Sequence, residues 1–94
     1  MIHVSGSEIY RGGKKIGYLR GNDVWSYDGH KMGYIEEGGG DIFNSSGRKV
    51  AWLKGDYIET VDDRRIRITD NNHYVSGGAL SSAYRAGIRI LLGD

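Results

Sequence analysis

The chain says one phrase three times: GKKIGYL at 13–19, GHKMGYI at 29–35 and GRKVAWL at 47–53. Such a repeat constrains a fold more than composition does, because each copy is one supersecondary unit that must bury its apolar side against its neighbours. An acid and two bulky residues precede each copy: EIY from Glu8, DVW from Asp23, DIF from Asp41 and DYI from Asp56, the last followed by a degraded return, RIRIT, at 65–69. The units are therefore read as 8–22, 23–40, 41–55 and 56–69 of a single domain spanning 1–94.

Two short β-rich runs separated by Asp-Gly or Ser-Gly are a strong hairpin signal, so each unit is read as one antiparallel β-hairpin. With Asp28-Gly29 as a two-residue turn, Trp25 would face Met32 and Val24 would face Gly33. Around Ser46-Gly47, Phe43 would face Val50 and Ile42 would face Ala51. The first and fourth units do not keep this count, and a bulge or an altered loop must absorb the difference, since a slip of one residue turns every side chain over. Gly17, Gly33 and Ala51 share one position of the returning strand, with Arg67 at the fourth. Small residues there need either cover from an aromatic neighbour such as Tyr10, Trp25 or Phe43, or a crowded axis that they line.

After Asp70 the pattern stops. Leu80, Tyr84, Ile88 and Leu91 make a helical stripe with Gly93 placed as a C-terminal cap, which gives a helix over 79–92; the alternative is a strand over 86–92, where Ala86, Ile88, Ile90 and Leu92 alternate. Either element makes 77–93 an apolar cap on the hairpins or a surface for self-association. The fold class is thus mainly β, four consecutive hairpins over about 8–69 and a C-terminal helix.

With the units in place, DVW…GHKMGYI and DIF…GRKVAWL resemble the four-fold β-flower proteins, small bacterial domains of four similar hairpins. The resemblance covers 8–69. It implies hairpins set like petals in a pseudo-four-fold arrangement, and it brings no established activity and no catalytic residue to any position here.

Composition narrows the functions. Thirteen Lys and Arg stand against twelve Asp and Glu, a net charge of +1, so no global field argues for nucleic acid or a membrane surface. No run of apolar residues is long enough to span a bilayer, the first residues lack the charge and apolar run of a signal peptide, and there is no cysteine. A soluble, cytoplasmic protein is expected. Sixteen glycines without one proline point to tight turns with positive φ.

Chemistry is sparse. His3, His30 and His73 share no metal-site spacing, and neither a metal nor a cofactor is expected. The triple glycine at 38–40 precedes a strand and lacks the lysine of a phosphate loop, so it reads as a link. Glu36-Glu37 and Asp62-Asp63 do not converge as acid and base, and Ser45-Ser46 and Ser81-Ser82 have no partner base. The reading is not an enzyme. What is patterned is a basic pair after each turn, from which Lys15, Lys31, Lys49 and Arg65 are the candidate anion-binding residues, forming a ring if the hairpins surround an axis. The opening acids Glu8, Asp23, Asp41 and Asp56 are expected at the opposite end of each hairpin. The function expected is a non-catalytic binding or assembly module, self-associating or engaging a protein partner; the alternative is a binder of an anionic ligand or nucleic acid through the post-turn cations, nucleic acid being disfavoured by the net charge.

Overall fold

A computed structural model describes residues 1–93. Its elements are β1 (Ile2–Ser5), β2 (Glu8–Arg11), β3 (Lys14–Arg20), β4 (Asp23–Ser26), β5 (Lys31–Glu36), β6 (Asp41–Asn44), β7 (Lys49–Lys54), β8 (Tyr57–Thr60), β9 (Arg65–Arg67), α1 (Ile68–Tyr74), β10 (Val75–Ser76) and α2 (Ser82–Leu92).

The hairpins begin with their tips. In the second, third and fourth units the N–H of Ser26, Asn44 and Thr60 donates to the carbonyl of His30, Arg48 and Arg64 at 2.8, 2.9 and 3.1 Å. The loop between is therefore three residues long, not two. Its last residue needs a left-handed backbone, and Gly29, Gly47 and Asp63 supply it with φ of 89°, 82° and 69°. The side chain that opens each tip locks it: Ser26 Oγ, Asn44 Oδ1 and Thr60 Oγ1 accept from the N–H of His30, Arg48 and Arg64 at 3.1, 3.0 and 2.9 Å. The first tip differs, closing through Gly12-Gly13 alone between paired Arg11 and Lys14.

Below the tips, Ile9, Val24 and Ile42 face Gly17, Gly33 and Ala51, as the repeat implies. One step further the register shifts, so Tyr10, Trp25 and Phe43 stand opposite Lys15, Lys31 and Lys49, and Ile16, Met32 and Val50 are left over. This corrects the expected pairing of Trp25 with Met32 and of Phe43 with Val50. A bulge releases its residues from strict alternation. Ile16, Met32 and Val50 accordingly pack towards the core beside Gly17, Gly33 and Ala51.

The fourth hairpin has no bulge, and Ile58 faces Ile66. Ile66, not Arg67, thus occupies the place of Gly17, Gly33 and Ala51. The unit also starts one residue later than its acid suggests. Leu19, Ile35, Leu53 and Ile68 donate their N–H groups to Ser7, Asn22, Gly40 and Asp56, which makes Asp56 the counterpart of the residue before each opening acid. Tyr57 stands in the acid's place and Glu59 in the aromatic's.

The strands form one sheet in the order β10-β1-β2-β3-β4-β5-β6-β7-β8-β9, antiparallel except where β10 runs parallel to β1. Ten strands at about 4.8 Å spacing would spread about 43 Å if flat, whereas the longest extent of the molecule is 30 Å. The sheet is therefore strongly coiled, and its concave side holds α2. Helix α1 joins the edge strands β9 and β10, whose three and two residues leave little edge for foreign pairing.

Helix, not strand, is the outcome for the C-terminal segment. It opens at Ser81, whose Oγ accepts from the N–H of Tyr84 at 3.4 Å, and closes at Gly93, whose N–H donates to the Arg89 carbonyl at 3.0 Å. The face it buries is Ala83, Ala86, Gly87 and Ile88, smaller than the expected stripe because a coiled sheet leaves little room. A Cβ on Gly87 would lie 2.7 Å from Ile35 Cδ1. The same closeness explains the small residues of the sheet. A Cβ on Gly17 would run into the Trp25 carbonyl and lie 3.1 Å from Leu92, and one on Gly33 would run into the Phe43 carbonyl and lie 2.8 Å from Leu91. The cover is the helix and not an aromatic neighbour.

Candidate functional site

The convex side of the sheet carries the residues that alternate with the core. Across its strands runs a row of four: Glu8, Tyr18, Trp25 and Lys31. The next row is Asp23, Tyr34, Phe43 and Lys49, and the third is Asp41, Trp52, Glu59 and Arg65. The rings at the centre stack, with Tyr18 and Trp25 6.1 Å apart at 4° and Tyr34 and Phe43 4.8 Å apart at 9°.

Lys31, Lys49 and Arg65 end these rows, and Lys15 stands opposite Tyr10 in the same way. Lys15, Lys31, Lys49 and Arg65 do occupy equivalent positions, each opposite the third residue of its outgoing strand. Each already has a carboxylate: Lys15 Nζ lies 2.7 Å from Glu8, Lys31 3.3 Å from Asp23, Lys49 3.4 Å from Asp41, and Arg65 Nε 3.7 Å from Glu59. Each also lies over a ring, Lys15 on Tyr18 at 5.5 Å, Lys31 on Tyr34 at 5.4 Å, Lys49 on Trp52 at 5.6 Å and Arg65 on Tyr57 at 3.8 Å. Glu8, Asp23 and Asp41 are thus neighbours of the cations and not the far pole of a bipolar hairpin. The bulge brings this about, because the shifted register puts acid and lysine on one face, two residues apart across the ladder. The hydrogen bond from Lys15 to Glu8 holds the ammonium above the ordinary lysine range. On this face Tyr18, Trp25, Tyr34, Phe43, Trp52 and Tyr57 are each engaged by another ring or by a cation.

Basic charge is gathered differently at the tips. Between the first and second hairpins lies an open cleft of about 620 Å³. Its floor is Ile16, Met32 and Leu92: two bulge residues and the last residue of α2. Its rim carries Arg11, Lys14, Lys15 and His30, with Asp28 as the one acid among the described residues. Asp28 is held in place by the tip, accepting a hydrogen bond from Ser26 Oγ and lying 3.1 Å from His30 Nδ1. Those bonds, Ser26 first, hold its carboxyl below the ordinary aspartate range.

Arg11 has two tasks here. Its Nη2 donates to the Gly93 carbonyl at the C-terminus of α2, a favourable place for a cation, while its Nε is buried with no hydrogen-bond partner among the described residues. Lys14 is exposed and has no ion pair among the described residues. Of the four anticipated residues only Lys15 lines this cleft; Lys31, Lys49 and Arg65 do not. Arg11, Met32 and Leu92 were not foreseen, because the cleft exists only where α2 ends between two tips, and no local pattern announces that meeting.

A second cleft of about 400 Å³ lies between the third and fourth tips, where Val50, the third bulge residue, joins Val61, Asp62, Arg64 and Arg89. Among the described residues no three His, Cys, Asp or Glu side chains converge as metal ligands, and no helix is long and apolar enough to cross a membrane. Compared with protein-family models, with curated proteins and with solved structures, the chain matches none.

Proposed function

We propose that the chain is a non-catalytic binding module whose site is the cleft between the first and second hairpin tips and whose ligand is anionic. The observation that carries this is the gathering of Arg11, Lys14 and His30 around an apolar floor, with Lys15 beside them held by Glu8. The repeated cations, Lys15 among them, are matched by carboxylates, so their charge is spent within the sheet and Arg11, Lys14 and His30 carry the site. The apolar face of α2 is occupied by the sheet and is not offered to a second copy, which favours ligand binding over assembly through the tail. In this reading the β-flower resemblance describes the scaffold, four hairpins following one another around a helix, and the setting is cytoplasmic.

Replacement of single cations tests it. Lys14→Glu should weaken binding of a small organic anion about 10-fold, the scale of one charge-assisted hydrogen bond reversed in sign, whereas Lys31→Gln and Lys49→Gln should leave it within about 2-fold. Titration calorimetry on the three variants reads this directly. Equal losses in all three would replace the cleft by the ring of equivalent cations.

A further inference from the structure

We infer that the ligand of this cleft is a singly charged amphiphile, an organic carboxylate or sulfonate with an apolar body, an inference that rests on the cleft being the anion site. The charge inventory decides the first half. Arg11, Lys14 and Lys15 bring three positive charges, Glu8 already neutralises one through its contact with Lys15, and Asp28 sets another negative charge on the rim. Among the described residues, Arg11, Lys14 and Lys15 outnumber Glu8 and Asp28 by one. A polyphosphate entering it would meet Asp28, which the Ser26 and His30 contacts keep ionised, and like charges disfavour such a ligand. A single carboxylate has the geometry that a planar guanidinium recognises, and Arg11 stands on the rim of the cleft beside Lys14.

The floor decides the second half. An ordinary strand would alternate and send Ile16 and Met32 to the convex side, away from the helix. The bulges turn both inwards, beside Gly17 and Gly33, where they meet Leu92. The result is an apolar surface with the cations at its margin, the arrangement of a site that binds a body by area and orients it by a head. Met32 adds adaptability, since an unbranched thioether fits irregular shapes. At about 620 Å³ the cleft is within the usual range of ~300–1,000 Å³ for small-ligand sites. The equivalent space between the third and fourth tips is smaller and carries Asp62 with Arg64 and Arg89, so the amphiphile is assigned to the first.

The test is competition for the anionic dye 8-anilinonaphthalene-1-sulfonate on the full chain, with octanoate, 1-octanol and pyrophosphate as competitors. Octanoate should displace the dye at one site per chain, about 10-fold better than octanol, and pyrophosphate should leave it bound. Met32→Glu should weaken dye binding at least about 10-fold; Lys14→Glu, at an exposed position that cannot unfold the chain, should weaken octanoate more than octanol. Displacement by pyrophosphate but not octanoate would overturn the amphiphile while leaving the anion site standing. Octanol equal to octanoate, or no dye binding at all, would overturn both. Dye binding unchanged in both variants would move the ligand elsewhere and overturn the assignment.

Discussion

Gly33 has no side chain because two things stand where its Cβ would be: the carbonyl of Phe43 on the next strand and the side chain of Leu91 from the far end of the chain, 2.8 Å away. Backbone cannot give way as a flexible side chain does. Gly33→Ala is therefore expected to cost about 2–3 kcal/mol, the upper part of the range for overpacking a core, while Gly38→Ala, with open space around it, should be neutral or stabilise by about 0.4–1 kcal/mol through the unfolded chain. Urea denaturation of both variants checks the pair, and equal effects would contradict the packing argument. That something must cover Gly33 is legible in the sequence. What covers it is not, since Leu91 lies 58 residues on and nothing near Gly33 points to it.

At the scale of the element, each hairpin is a tip, a central aliphatic residue facing a small one (Ile66 in the fourth) and, in three of four, a bulge. The three-residue tip explains an oddity of the fourth unit. Asp63 sits with φ of 69° where the second and third units have glycine, and a left-handed backbone costs an L-residue about 1–2 kcal/mol, less for Asp. Asp63→Gly should therefore stabilise the protein by about 0.5–1 kcal/mol, read as a raised denaturation midpoint; a lowered midpoint would mean that the Asp63 side chain does something the tip geometry does not require. Hairpins and turn positions could be read from Asp-Gly, Ser-Gly and the alternation of bulky residues. The bulges could not, because one surplus residue looks the same in sequence whether it lengthens a loop or kinks a strand. Hence Lys31 faces Trp25 and reaches Asp23, when a regular ladder would have separated them. The fourth unit misleads for a related reason: Asp56 imitates the opening acid, but Tyr57 and Glu59 have exchanged the acid and aromatic places, and Glu59 is the partner of Arg65.

For the whole molecule, the repeat builds a wall and the non-repeating tail builds what the wall encloses. Val24, Ile35, Ile42, Ala51 and Ile58 form one buried cluster with Ala83 and Ala86 of α2, and Ile2, Val4, Ile9 and Val75 form another with Ile88. The parts outside the repeat were the least legible. β1 is a four-residue strand whose outer partner, β10, lies more than seventy residues away, and α1 falls in a polar stretch that leads from one sheet edge to the other and is tied to α2 through Asn71 and Asn72. The candidate site shares that origin: two tips could be read locally, yet a cleft appears only once α2 ends between them. Both fold and site thus depend on the helix filling the concave face. A chain ending at Gly78, followed by circular dichroism during heating, tests this most directly. Without α2 the two clusters lose their shared partner, and no cooperative melting transition is expected; a sharp transition close to that of the full chain would show that the hairpins hold themselves together and would contradict the account.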